Sequence, residues 1–337
     1  MNWTHRETPG EDIVCEAHNL LRIDDQYMVA NQSGFTYWAC DLATRVNTDM
    51  GVFRGSQSVY KVTAETDLIK GRGHLKELAM ALEYAMDDCT FSGPVYDGEN
   101  DTFRLYAAVY ATGDDVGWLK RTFAAAVATQ ISEAMAMSKR FQSEFHAVPA
   151  TSGHPSTGLR PHADEMLTHS ENLFHPSGDG PGKWLEDPAW ERAGWVMERE
   201  AQQFTSDGRS FLEADYEWPC GEGSIHLHVR ADEPHRALGN GLHATLTMPM
   251  RLSPQAIGHL VLDLNSFERN EYRRCHTLGS WCMHDGRLAY RTFLPNALHA
   301  EGSLEGLCVT FSTRAIWVAE YFQERMMEAQ ASTKGNN

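Results

Sequence analysis

The sequence predicts an α+β protein made of two tandem α-β-β-β-α-β-β-α modules with antiparallel sheets. Three observations predict it. Helix-like and strand-like stretches recur in the same order in both halves, a Pro/Gly-rich stretch separates them, and a hairpin turn falls at the same place in each. The 337-residue length agrees, since single cores stop growing at roughly 250–300 residues.

In the first half, residues 1–145, Glu11 to Ile23 spaces Ile13, Val14, Ala17, Leu20 and Leu21 at helical intervals. Three strand-like runs follow, Gln26–Asn31, Phe35–Thr44 and Ser58–Thr66, rich in aromatic and β-branched residues and broken at Ser33-Gly34 and around Asp49-Met50-Gly51. A second helix is expected over Gly73–Met86. Strands Cys89–Val95 and Phe103–Tyr110 flank a turn at Asp97-Gly98-Glu99-Asn100. A long helix runs from Asp114 to about Phe141, its two aspartates suited to the positive end of the helix dipole.

Residues 146–188 hold six of the thirteen prolines and read as a linker. Within it, Met166, Leu167, Leu173 and Phe174 suggest one short docked helix.

The second half, residues 189–330, repeats the order. A helix over Trp190–Phe204 precedes strands Arg209–Trp218, Ser224–Ala231 and Leu242–Met250, with Asn240-Gly241 as a turn signal. Ser253 and Pro254 open a helix to Phe267, in the cap and first-turn positions those residues favour. Arg274–Met283 and Arg287–Phe293 form a hairpin across His284-Asp285-Gly286, and a last helix runs from about Gly302 to Met327. Residues 331–337 read as a disordered tail. Gly73-His74-Leu75 matches Gly258-His259-Leu260 in register, and Arg104-Leu105 matches Arg287-Leu288.

The run Leu246-Thr247-Met248-Pro249-Met250, the helix start Ser253-Pro254, and Gly286-Arg287-Leu288-Ala289-Tyr290-Arg291 leading to Leu294-Pro295 resemble the YbjN-like family, related in fold to the type III secretion chaperones. The resemblance implies a non-enzymatic module that dimerises and holds peptide segments of a partner. A tandem pair then implies an intramolecular pseudo-dimer, with homodimerisation also open.

Composition narrows the function classes. Forty-six acidic against 29 basic residues, a formal charge of −17 spread over both halves, disfavours nucleic acid, whose phosphates need concentrated Lys and Arg. Seven scattered cysteines read mostly as reduced core residues, and no secretory leader or apolar run of membrane-spanning length is present, so a cytoplasmic location without a membrane partner is expected.

Sixteen histidines invite a metal reading. His146, His154, His162, His169 and His175 in the linker miss zinc-ligand spacing, and His162 to His169 is not the His-Glu-x-x-His arrangement that sets two ligands and a base on one face. His226 and His228 alternate along one strand and point the same way, with His243 on the next strand, and are the metal candidates; alternatively they line the solvated face of a sheet whose inner side carries Ile225, Leu227 and Val229. Cys275, His276, Cys282 and His284 are too widely spaced for a zinc knuckle. No nucleophile elbow, phosphate loop or catalytic cysteine signature is present. Gly178 to Lys183 lacks both the length and the following Ser or Thr of a phosphate loop. Catalytic residues, cofactors and metals are therefore not expected. Tyr37, Trp38, Tyr60 and Trp281 are the partner-binding candidates, with core packing as the alternative account. The expected function is a protein- or peptide-binding chaperone or adaptor; the alternative is a regulator binding a small molecule or metal in the cleft between the modules.

Overall fold

The computed structural model describes residues 7–49, 52–54, 57–71, 91–165, 182–235, 238–270 and 275–334. They form a mixed α+β fold with two antiparallel sheets. The predicted helix over Gly73–Met86 and the docked helix around Met166–Phe174 lie outside the described residues.

In the first half, α1 (Pro9–Leu20) starts at a capping box, Thr8 accepting from the Glu11 amide while Glu11 reaches back to the Thr8 amide. Strands β1 (Met28–Ala30), β2 (Gly34–Tyr37), β3 (Thr44–Thr48), β4 (Val52–Arg54), β5 (Gln57–Lys70), β6 (Gly93–Asp97) and β7 (Thr102–Ala111) follow, then α2 (Val116–Phe145) and the short β8 (Val148–Pro149). The sheet order is β1-β2-β3-β5-β7-β6, with β4 and β8 added on β5. One face is covered by α1 and α2, which buries Leu119, Phe123, Val127 and Ile131 at helical spacing.

In the second half, α3 (Ala189–Glu200) leads into β9 (Gln203–Ser206), β10 (Phe211–Glu217), β11 (Ser224–Arg230) and β12 (Gly241–Arg251), then α4 (Pro254–Asn270), β13 (Ser280–His284), β14 (Arg287–Pro295) and α5 (Ser303–Lys334). Its order, β9-β10-β11-β12-β14-β13, is that of the first sheet once β4 and β8 are set aside. Ser253 caps α4 by accepting from the Ala256 amide at 3.3 Å. The β13–β14 hairpin turns through Asp285 and Gly286, both at positive φ, 51° and 70°, as its two-residue connection requires. The inner face carries Leu227, Leu242, Leu246 and Tyr290 against α3 and α5.

Where three strands are expected before the middle of each half, the described residues show five in the first half, β1 to β5, and four in the second, β9 to β12. The predicted Phe35–Thr44 run ends as β2 and restarts as β3, because residues 38–43 form a turn buried except at Asp41, whose lone polar side chain among Trp38, Ala39, Cys40 and Leu42 is a weak break signal. The predicted helix Trp190–Phe204 stops at Glu200; Ala201 turns extended and Gln203–Ser206 pairs with β10 as an edge strand.

The predicted linker is docked at both ends. Residues 147–164 run along the first half: β8 pairs with β5, Trp38 Nε1 donates to Ser152 Oγ at 3.0 Å, and Arg160 bridges Asp24 and Asp164 while lying over the Tyr27 ring. At the other end Trp184 is fully buried and its carbonyl accepts from Trp190 Nε1 at 2.7 Å.

The halves meet along β6 and β13. Helix α4 lies on β13 of its own sheet and on β6 of the other. Ala108 and Thr277 exchange backbone hydrogen bonds at 2.9 and 2.7 Å, and Lys61 Nζ donates to the Arg269 carbonyl at 2.8 Å. Among the described residues, no helix is long and apolar enough to cross a membrane.

Candidate functional site

Strands put alternate side chains on opposite faces, so the polar residues between the buried positions of β10, β11, β12 and β14 all face away from α3 and α5. Register sets them in rows. Glu213, His228, Thr245 and Arg291 form one row across β10, β11, β12 and β14; Asp215, His226 and Thr247 form the next; Arg230, His243 and Phe293 flank the first on its other side. At the far end, beyond a register shift in β12, Arg251 stands opposite Arg287, itself opposite His284 on β13. The β11, β12 and β14 members of these rows, His226, His228, His243, Thr245, Arg287 and Arg291 among them, line a concavity of about 700 Å³ on this face, with Glu213 and Asp215 at its β10 margin.

Charge is graded across it. At the β10 margin, Asp215 Oδ1 lies 3.0 Å from His226 Nδ1 and Glu213 3.7 Å from His228 Nε2. Arg230 is neutralised by Asp232 and Glu233 at 2.9 and 2.7 Å. Toward β14 the guanidinium groups of Arg251, Arg287 and Arg291 dominate. Burial, then the positive charge of His235, Arg291 and Arg230, pushes the His243 imidazole down to about 4, so it is neutral at neutral pH. Burial likewise holds His228 below its ordinary value, against the pull of Glu213.

The structure brings His226 and His228 onto one face, their ring centroids 6.4 Å apart. His243 is engaged elsewhere, packed on Phe293 at 4.5 Å and beside His235 at 6.0 Å. Among the described residues, no three His, Cys, Asp or Glu side chains come together to hold a metal ion.

Three of the four aromatic candidates are interior. Tyr37 is fully buried and donates to Asp164; Trp38 is buried and hydrogen-bonded to Ser152; Trp281 is fully buried and donates to Glu268 Oε1 at 2.9 Å. Tyr37 and Trp281 sit at interior-facing strand positions, and Trp38, in the turn after β2, is covered by the segment carrying Ser152 and Arg160, so none of the three lines a surface. Tyr60 is half-exposed. What the residue search missed is the arginine set. Arg287 and Arg291 stand four positions apart on one strand and so share a face, a pattern readable from period-two alternation alone.

A second concavity, about 830 Å³, lies between the halves, where Tyr110, Asp115 and Trp118 face His276, Glu301 and Glu305. Comparison of the chain with protein-family models, curated proteins and solved structures finds no match.

Proposed function

We propose that the chain is a non-enzymatic protein-binding module of chaperone or adaptor type, built from two copies of one YbjN-like, type III secretion chaperone-like unit packed on each other as a pseudo-dimer. Support for the duplication comes from the shared strand order of the two sheets. Support for the pseudo-dimer comes from the approach of β6 to β13 with α4 lying across both.

The observation that carries the binding function is an asymmetry between the sheets. On the first, the face turned from α1 and α2 is closed at β6 and β7: Tyr106 and Ala108 are buried, and Arg269 of α4 pairs with Glu65 at 2.8 Å. On the second, the face turned from α3 and α5 keeps its concavity, with half-exposed His243, Thr245, Thr247, Arg287 and Arg291. A partner segment laid there covers the second face much as α4 covers the first.

The test is site-specific photocrosslinking in the cells that make the protein. A photoreactive residue at Thr245 is expected to give a discrete protein adduct, and one at Glu198, exposed on α3, is not. No adduct from Thr245 sinks the reading.

The groove between the halves favours a second reading, a regulator that binds a small molecule there, since its volume suits a metabolite. A small molecule retained on native mass spectrometry and lost on Trp118→Ala substitution would select that reading.

A further inference from the structure

Arg251 and Arg287 are directly opposite each other in the β12–β14 ladder, on a face with room above them. Like charges in that position repel. Among the described residues neither guanidinium has a hydrogen bond or an ion pair. The contrast with arginines elsewhere on the sheets and on α4 is sharp. Arg45, Arg104 and Arg269 share Glu65, Asp67 and Asp97, and Arg230 has Asp232 and Glu233. In a chain of formal charge −17, with 46 acidic residues to draw on, two adjacent arginines stand without an acid.

The surroundings narrow what completes the pair. Guanidinium forks match oxyanions bidentately, carboxylate and phosphate alike. Phosphate cradles, however, use backbone amides at helix N-termini or in Gly-rich nests, and here the two arginines stand on paired strands, with β11 and β12 in ladder register up to Thr247 and β14 paired on both sides. The concavity is large and partly open to solvent, which suits a chain segment better than a small anion. Arg291 lies on the same face, roughly 13 Å along the strand from Arg287 at about 3.3 Å per residue. The acidic margin of Glu213 and Asp215 confines any anionic occupant to the β12–β14 side, a span too short for a long polyanion to lie across the face.

On these grounds we infer that the β12–β14 side of this face binds an extended acidic peptide segment, its carboxylates paired with Arg251 and Arg287. This rests on the protein-binding reading and names the chemistry of the partner.

The experiment uses the full chain and a fluorescein-labelled Glu-rich peptide, titrated by anisotropy at low salt. Saturable binding is expected, about tenfold or more weaker for the same peptide with Gln in place of Glu, and weaker by a similar factor for Arg251→Glu/Arg287→Glu. The milder Arg251→Gln/Arg287→Gln variant is the control for folding: relief of the like-charge pair leaves its melting temperature unchanged or raised while affinity falls. No binding by the wild type, equal binding of the Gln peptide, or unchanged affinity in both variants overturns the inference. So does displacement of the peptide by inorganic phosphate or by a single-stranded oligonucleotide at equal charge concentration. The Thr245 photocrosslink separates the two claims. An adduct that persists in Arg251→Glu/Arg287→Glu overturns the acidic-segment inference and leaves the protein-binding reading standing, whereas no adduct from the wild type overturns that reading itself.

Discussion

Arg314 of α5 grips Glu268 of α4 with two guanidinium nitrogens, Nε on Oε1 at 2.7 Å and Nη2 on Oε2 at 2.9 Å, and neither side chain reaches solvent. The pair is also the centre of a network. Trp281 Nε1 and Thr277 Oγ1 donate to the same carboxylate, Nη2 donates to the His276 carbonyl at 2.9 Å, and the guanidinium lies 3.6 Å from the Tyr290 ring centroid. It therefore fixes α4, α5 and the segment before β13 relative to one another, which sets where the halves can meet. Breaking a buried pair by removing one member leaves an uncompensated charge, at a cost of about 3–5 kcal/mol. Arg314→Leu is expected to lose that much in urea unfolding, and Arg314→Leu/Glu268→Leu less than the sum of the single variants. An Arg314→Leu protein within about 1 kcal/mol of wild type would refute the role given to the pair.

The first sheet has its own charged centre, on the face that meets the second half. Arg104 lies 2.8 Å from Asp67, 3.0 Å from Glu65 and 2.7 Å from Asp97, with Arg45 and Arg269 completing the set from β3 and α4. Burial alone would raise the Asp97 carboxyl, but the Asn100 side-chain amide, then Arg104, the Glu99 backbone amide and Arg269 hold it below its ordinary range. Arg104→Ala leaves three acids facing each other and is expected to cost about 3–5 kcal/mol. Arg269→Ala removes one arm at the contact between the halves and is expected to cost less, about 1–2 kcal/mol. The order of these two losses, read from chemical denaturation, is the check. Equal losses would mean that Arg104 is not the hub.

Gly93 probes the packing between the halves directly. A Cβ there would stand 2.8 Å from Asn265 Oδ1 and 3.0 Å from Ser280 Oγ, inside contact distance of α4 and β13. Asn265 is buried and its Oδ1 accepts from the Trp281 amide, so it has little freedom to yield. Gly93→Val is expected to cost about 1–3 kcal/mol by overpacking and to raise the rate of limited proteolysis of the chain. Wild-type stability together with a wild-type cleavage rate would show that the halves do not press on each other here.

How much of this was legible in sequence follows from which signals are local. The hairpin at Asp285-Gly286 and the α4 start at Ser253-Pro254 are written in a few adjacent residues, and both appear where turn and cap chemistry puts them. The split of β2 from β3 was not legible, because the turn over 38–43 is buried under Arg160 and Ser152, more than a hundred residues away. The same holds for the aromatics. Trp281 reads as a surface candidate only until Glu268 is known to receive its N–H. The rows that pair Arg251 with Arg287 depend on a register shift in β12, which no spacing in the chain announces.

The titration of His276 gives the last prediction. Its Nδ1 accepts the Tyr110 amide at 3.0 Å, a bond that only the neutral ring can make, and its edge meets Trp118 of the other half with centroids 5.4 Å apart. Burial first, and the Arg314 charge second, hold it down at about 4. An unfolded histidine takes up its proton near about 6.5. Between these values the unfolded chain binds more protons than the folded one, so this contribution is full above about 6.5 and is lost as the pH falls toward 4. His243, also held at about 4, adds a loss of the same sign over the same window. The overall charge of −17 works in the opposite sense, since acid relieves self-repulsion. The informative quantity is therefore a difference between proteins, not one slope. Asn at position 276 offers an Oδ1 acceptor but no titration, so urea midpoints of His276→Asn are expected to fall less steeply than those of wild type between about pH 6.5 and 4. Parallel curves would show that the ring at this contact is not kept neutral by the fold.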